Sequence, residues 1–249
     1  MKSRDVTDID ADRICLFLDL DGTLIDIAPR PDAVLVPDDL ILLLGRLGQR
    51  LNGAVAVVSG RPLADLTRLL PNCPVPLVAE HGAVFEMPAC YAATPLRRYA
   101  VPEPMAALVR EKIEGMEGVL LEQKQSCLTV HFRLAPEREA RVRSILEEAV
   151  TRWPGFRITG AKMALEVRPR GLDKGSAVRQ LMRCPPFQGR TPIFIGDDIT
   201  DEDGIRASLL MGGKGLRVPA DFGGGPAAVR TWLWELVSPS SKEVLQGPA

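Results

Sequence analysis

The chain has 249 residues, with 31 Lys and Arg against 32 Asp and Glu, a formal charge of −1. That length holds one large domain or two small ones, and 46% hydrophobic with 25% charged residues excludes disorder over most of it. The balanced charge excludes a global polybasic field for nucleic acid or an anionic membrane surface, although local basic pockets remain open.

In chain order, residues 1–13 are polar and acidic and lack the apolar stretch of a signal peptide. Five scattered cysteines (Cys15, Cys73, Cys90, Cys127, Cys184) form no CxxC pair, a pattern of reduced thiols rather than a disulfide framework. The most apolar stretch, residues 40–59, is broken by Arg46, Gln49, Arg50 and Asn52 well short of the roughly 18 apolar residues that a membrane helix needs. A cytoplasmic protein with no membrane span and no nucleic-acid partner is expected.

Ile14–Leu18 is a short apolar run that stops in acids and glycine, as a buried parallel strand does where it opens into a site. Residues 37–49 have helical spacing, with Leu40, Leu43, Leu44 and Leu47 on one side. Apolar runs at 54–58 and 76–79 end in Ser59-Gly60-Arg61-Pro62 and Glu80-His81-Gly82, with a helical pattern at 63–70 between them. The alternation predicts an α/β fold, a doubly wound, mostly parallel sheet with Asp19/Asp21, Ser59/Arg61 and Glu80/His81 on one edge.

The middle reads differently. Residues 102–115 and 136–153 are helical, the latter with Val142, Ile145, Leu146 and Ala149 on one face. Residues 119–123 with 127–133, and 156–159 with 163–167, predict two hairpins. This αββαββ pattern predicts a separate α+β insert over 100–168, between core segments 1–99 and 169–249. The first style then returns, with a helix from Lys174, a strand at 191–195, a further strand in 212–218 and a helix at 227–236. Trp232 and Trp234, two apart, cannot share a helix face and are assigned to packing. From 238 onward the Ser, Pro and Gly content predicts a frayed tail.

Chemistry concentrates in a few places. Asp19-Leu20-Asp21-Gly22-Thr23 puts two acids two positions apart at a strand end, where both face one region. Without a cation they would repel; Mg²⁺, an oxygen-seeking ion, would make them ligands, and an Asp can also attack phosphorus. Residues 197–203 hold five acids in seven positions, again after an apolar run. Asp201–Asp203 could merely start a helix, but Asp197 and Asp198 at the end of a buried strand are costly unless compensated. Two acidic strand ends in one sheet are best explained by a shared divalent cation. Ser59 and Gly60 offer a hydroxyl and an approachable N–H, and Lys174 offers a positive charge at a helix start.

LDLDGT, VSGR, a KG lysine and IGDDITDED, in that order, resemble the motifs of haloacid dehalogenase-like (HAD) phosphatases. The resemblance implies Asp19 as nucleophile and Asp21 as general acid and base. It implies Ser59, Gly60 and Lys174 as phosphate-binding groups, and Asp19, Asp21 (through its backbone carbonyl) and Asp197 as Mg²⁺ ligands. Arg61, Arg133, Asp198 and Asp201 are supporting candidates. VSGRPLADL, VAEHGA, KQSCLTVHFR, GAKMALEVRP, GLDKGSAV and IGDDITDEDGIRA extend the likeness to trehalose-6-phosphate phosphatases over roughly residues 15–236. That family implies trehalose 6-phosphate as substrate and functional pairing with a trehalose-6-phosphate synthase. It implies an insert that acts as a cap, with Lys124, His131, Lys162 and Glu166 on the sugar. By residue type alone, Lys124, Lys162 and Glu166 fit an exposed sheet face equally well, and His131 and His81 fit structural roles. Another sugar-phosphate phosphatase, a phosphomannomutase and a non-catalytic sugar-phosphate sensor are the alternatives.

Overall fold

A computed structural model describes residues 10, 12–28, 33–89, 91, 99–161 and 163–238. They fall into two compact units, one within Met1–Leu96 and Asp173–Ala249, the other within Arg97–Leu172.

The first unit is built on a six-stranded sheet. Its strands are β1 (Ile14–Leu18), β2 (Val55–Val58), β3 (Leu77–Ala79), β4 (Val84–Glu86), β9 (Thr191–Gly196) and β10 (Lys214–Arg217), in spatial order β10-β9-β1-β2-β3-β4. The pairings are parallel except β3 with β4. Every residue of β1 and β2 is buried, which is why both read as unbroken apolar runs. Burying each large side chain there stabilises by roughly 1.5–3 kcal/mol, more than β-propensity supplies.

Helices α1 (Leu40–Arg50), α2 (Leu63–Leu69), α5 (Lys174–Leu181), α6 (Glu202–Leu210) and α7 (Pro226–Val237) complete this unit. α1 buries Leu40, Leu43, Leu44 and Leu47, and starts three residues later than its periodicity suggests. β4 is an addition to the elements expected from sequence, and α6 is the helix that Asp201–Asp203 could start. Trp232 meets Phe222 edge to face, while the Trp234 indole donates to Asp39. Residues 239–249, like Cys90 and Lys162, lie outside the described residues.

Register fixes the functional edge. Leu18 lies beside Val57 and Ile195, and Val58 beside Val78. The next residues continue the ladder, with Asp19 N–H donating to the Ile195 carbonyl (2.9 Å) and Ser59 N–H to the Val78 carbonyl (2.8 Å). Asp19, Ser59, Glu80 and Asp197 therefore follow the carboxyl ends of neighbouring strands, where open α/β sheets bind ligands.

The second unit pairs β5 (Leu120–Gln123), β6 (Leu128–His131), β8 (Ala164–Pro169) and β7 (Phe156–Ala161), all antiparallel, in order β5-β6-β8-β7. Helices α3 (Glu103–Ile113) and α4 (Glu139–Arg152) bury Met105, Val109, Val142 and Leu146 in one core with Leu128, Val130, Leu165 and Val167. The period of two sends the alternate residues to the opposite face. There Glu122, Thr129, Glu166 and Thr159 are successive cross-strand partners, and Leu120, His131 and Ala164 form the next row. β6 stops at His131, short of the expected 133. Phe132 N–H still donates to the Met163 carbonyl, but the chain turns as Ala135 N–H donates back to Phe132. Arg133 is exposed beyond the strand end.

Candidate active site

Four charged side chains from the sheet edge and the start of α5 form one cluster. Lys174 is the first residue of α5, which Asp173 and Ser176 cap reciprocally. Its Nζ donates to Asp19 Oδ1 at 2.6 Å and to Asp201 Oδ1 at 2.5 Å, with all three residues buried. The other oxygen of Asp201 accepts from the N–H groups of Asp197 (3.1 Å) and Asp198 (3.0 Å), which shapes the acidic loop. Thr23 donates from Oγ1 to Asp197 at 3.3 Å. Gly22, at φ +81°, lies against Asp197 so closely that a Cβ would collide with its carboxylate. A left-handed backbone and this close approach together require glycine there. The two acidic motifs are thus in contact. Asp198 faces solvent and caps the turn at Ile199 through its side chain.

The charges do not balance. Burial pushes the Asp19 carboxyl up, Lys174 opposes this, and the nearby Asp201 adds to it; the outcome is about 7. Burial, and then the charge of Asp201, raise Asp197 as well. Lys174 stays protonated because the carboxylates of Asp19 and Asp201 outweigh the burial that works against its charge. Oxygens of Asp19, Asp197 and Asp201 all lie within 4.8 Å of one another, an excess of negative charge around one ammonium. Three hard oxygen donors with surplus charge suit a small divalent cation and would be relieved by one. Asp201 thereby joins Asp19 and Asp197 as a possible carboxylate donor. The Asp21 side chain is turned instead to Arg61, which holds it in a two-point contact.

Ser59 is buried at the end of β2, its Oγ accepting from Arg61 N–H at 3.1 Å. Gly60 lies under the His81 ring, where a Cβ would collide with the imidazole. The Glu80-His81-Gly82 turn braces this loop, with Glu80 N–H donating to the Arg61 carbonyl (2.9 Å) and His81 N–H to the Ser59 carbonyl (3.0 Å). His81 is thus placed against the active edge.

On the second unit, Lys124, His131 and Glu166 belong to the polar face of the small sheet. His131 Nε2 is 2.8 Å from Glu122 Oε2, Lys124 Nζ is 3.6 Å from Glu122 Oε1, and Thr129 donates to Glu166 at 3.4 Å. Partial burial works against the charge on Glu122, but His131 and Lys124 outweigh it and hold the carboxyl below its ordinary range.

The trehalose-phosphatase family model matches residues 17–216. A probable trehalose-phosphate phosphatase of Sinorhizobium fredii is 38% identical over 212 residues, covering 84% of this chain and 79% of that one. The chain belongs to the trehalose-phosphatase family. The trehalose-6-phosphate phosphatase of Escherichia coli is 34% identical over 204 residues, covering 81% and 76%. The structure of trehalose-6-phosphate phosphatase from Aspergillus fumigatus superposes with a TM-score of 0.64 at 27% identity, covering 91% of this chain and 93% of the other. As a member of this family the protein is a phosphoric monoester hydrolase.

Two features of the site are set by tertiary structure rather than by local sequence. Glu122 has no local signal, since only the pairing of β5 with β6, and of β6 with β8, sets it in line with Thr129 and Glu166. Asp201, a supporting candidate by sequence, has a buried carboxylate that joins Lys174 to the acidic loop. The sequence signal for it is its spacing, three residues past a strand-end acid pair.

Proposed function

We propose that the protein hydrolyses trehalose 6-phosphate to trehalose and phosphate, with Mg²⁺, through an aspartyl-phosphate on Asp19. The observation that carries this reading is the cluster of buried Asp19, Lys174 and Asp201 with half-buried Asp197 at the carboxyl edge of the sheet. An Asp19 oxygen attacks phosphorus and the bond from phosphorus to the sugar oxygen breaks. Asp21 gives its proton to that departing oxygen. Asp21 then takes a proton from water, whose oxygen attacks the same phosphorus and frees Asp19. Ser59 and Gly60 hold the phosphoryl oxygens from one side and Lys174 from the other, since positioning and charge neutralisation are most of what this reaction needs. Asp19, Asp197 and Asp201, with the backbone carbonyl of Asp21, would hold Mg²⁺, which when bound supplies the positive charge that the carboxylates and phosphate lack.

The polar face of the small sheet is proposed to read the sugar. Glu122, Lys124, His131 and Glu166 are charged or polar groups of the kind that fix hydroxyl orientation, with Lys162 as a fifth candidate. The substrate is a glycosyl-transfer product, so a trehalose-6-phosphate synthase is the supplying partner. Among the described residues Cys15, Cys73, Cys127 and Cys184 form no disulfide, in keeping with a reduced cytoplasm, and no helix is long and apolar enough to cross a membrane.

The test is phosphate release from trehalose 6-phosphate, sucrose 6-phosphate, glucose 6-phosphate and mannose 6-phosphate, with Mg²⁺ and with excess chelator. The expected result is turnover of trehalose 6-phosphate well above the others, abolished by chelation. Full activity in chelator, or preference for a monosaccharide phosphate, contradicts the proposal.

A further inference from the structure

At the sheet edge a two-point contact joins Arg61 to Asp21. Nε of Arg61 donates to Asp21 Oδ2 at 2.6 Å, and an Nη donates to Oδ1 at 2.6 Å. A two-point guanidinium contact fixes the plane of a carboxylate, which the point charge of a lysine does not. It occupies one lone pair on each oxygen and leaves the others available for proton transfer. The Arg61 backbone is anchored at both ends, its N–H on Ser59 Oγ and its carbonyl on Glu80 N–H. The anchoring turn is itself unusual, with Glu80, His81 and Gly82 at φ 48°, 58° and 106°. Two successive non-glycine residues keep left-handed backbone only where the surroundings hold them there. One loop therefore carries the Ser59 hydroxyl and, two residues on, the fork that aims Asp21.

We infer that Arg61 is a positioning residue for proton transfer: it holds the Asp21 carboxylate in the plane from which its proton reaches the leaving oxygen, in register with the loop that holds the phosphoryl group. The inference rests on Asp21 being the acid–base group of the proposed function, and deepens that reading. In the first step the bond from Asp19 to phosphorus forms, the bond to the leaving oxygen breaks, and the Asp21 proton passes to that oxygen. A phenolate is a strong enough base to need this proton; a nitrophenolate departs without it.

The test is kcat/KM for phenyl phosphate and p-nitrophenyl phosphate with wild type, Asp21→Asn, Arg61→Lys and Arg61→Gln, at one pH and one Mg²⁺ concentration. The two esters share a ring and differ mainly in leaving ability, so changes in binding nearly cancel in their ratio. kcat/KM reports the step that breaks the ester bond, so a slow second step does not hide the effect. Both Arg61 variants should lose roughly ten- to a hundredfold more on phenyl phosphate than on p-nitrophenyl phosphate, and Asp21→Asn at least as much. Lysine keeps the charge and stem at this half-buried position, and either variant that melts cooperatively near wild type suffices. A merely structural role would lower both esters alike. Equal losses in the Arg61 variants beside a selective loss in Asp21→Asn overturn the inference and leave the proposed function standing. Equal losses in Asp21→Asn too overturn the acid–base role and the inference with it.

Discussion

The sheet edge of the first unit and the polar face of the second both gather charged side chains, but they hold them in opposite ways. At the edge, Asp19, Lys174 and Asp201 are 4%, 3% and 0% exposed and locked by contacts of 2.5–2.6 Å. On the small sheet the His131 and Glu122 side chains are 41% and 46% exposed, though paired at 2.8 Å. Buried charges interact strongly, and removing one strands its partners. Exposed pairs contribute little to stability and are free to exchange partners for a ligand. The first arrangement suits chemistry that must be preset, and the second suits recognition.

The largest effect should come at the edge. Asp19→Asn preserves size and shape, so it should fold and bind substrate, yet lose at least about 10³-fold in kcat because an amide cannot readily form the acyl phosphate. Substantial turnover in a preparation free of contaminating phosphatase would break the assignment of chemistry to this region. Lys174→Met leaves Asp19 and Asp201 buried without their cation. It should lower unfolding free energy in urea by about 3–5 kcal/mol in metal-free protein. A loss below about 1 kcal/mol would mean that the edge is no more tightly coupled than a surface.

Asp197→Asn should act with the opposite sign. An acid whose pKa is raised on folding costs stability above that pKa, and the cost disappears as pH falls through it. In chelator the variant should therefore melt somewhat higher than wild type above neutral pH, by an amount that solvent screening keeps small at this half-buried site, and the gain should vanish in acid. Its activity should fall and partly return at high Mg²⁺. No gain in melting temperature would show that the carboxylates are already compensated without a cation.

The smallest effect belongs to the other region. The Glu122 carboxyl is held below its usual 4.5, so its contribution is present above that value and is lost as pH falls through the lower folded value. Glu122→Gln should cost under about 1 kcal/mol at neutral pH, and the difference from wild type should shrink in acid below pH 4.5. A larger cost would place this face with the buried edge rather than against it.

What the sequence discloses follows the same division. β1, β2 and β9 are buried parallel strands, so their apolar runs and the acids and serine that end them are local signals. The start of α6 is legible in Asp201–Asp203, but its length is not, because Gly204 weakens the helical pattern that follows. That glycine is required by the Phe194 ring, which leaves no room for a Cβ. β4 is three residues long and defined by pairing with β3, which nothing in its own composition announces. The polar face depends on register across four strands, and its residues look like any solvent-facing sheet surface until that register is known.

The division of labour is tested most directly by kcat/KM of Glu166→Ala on two substrates, trehalose 6-phosphate and p-nitrophenyl phosphate, the second lacking a sugar. Loss of one charged hydrogen bond to the sugar predicts a fall of roughly ten- to a hundredfold on trehalose 6-phosphate, about 1.5–3 kcal/mol, with p-nitrophenyl phosphate hydrolysis near wild type. Equal losses on both substrates, or no loss on either, would contradict a sugar-reading face separate from the catalytic edge.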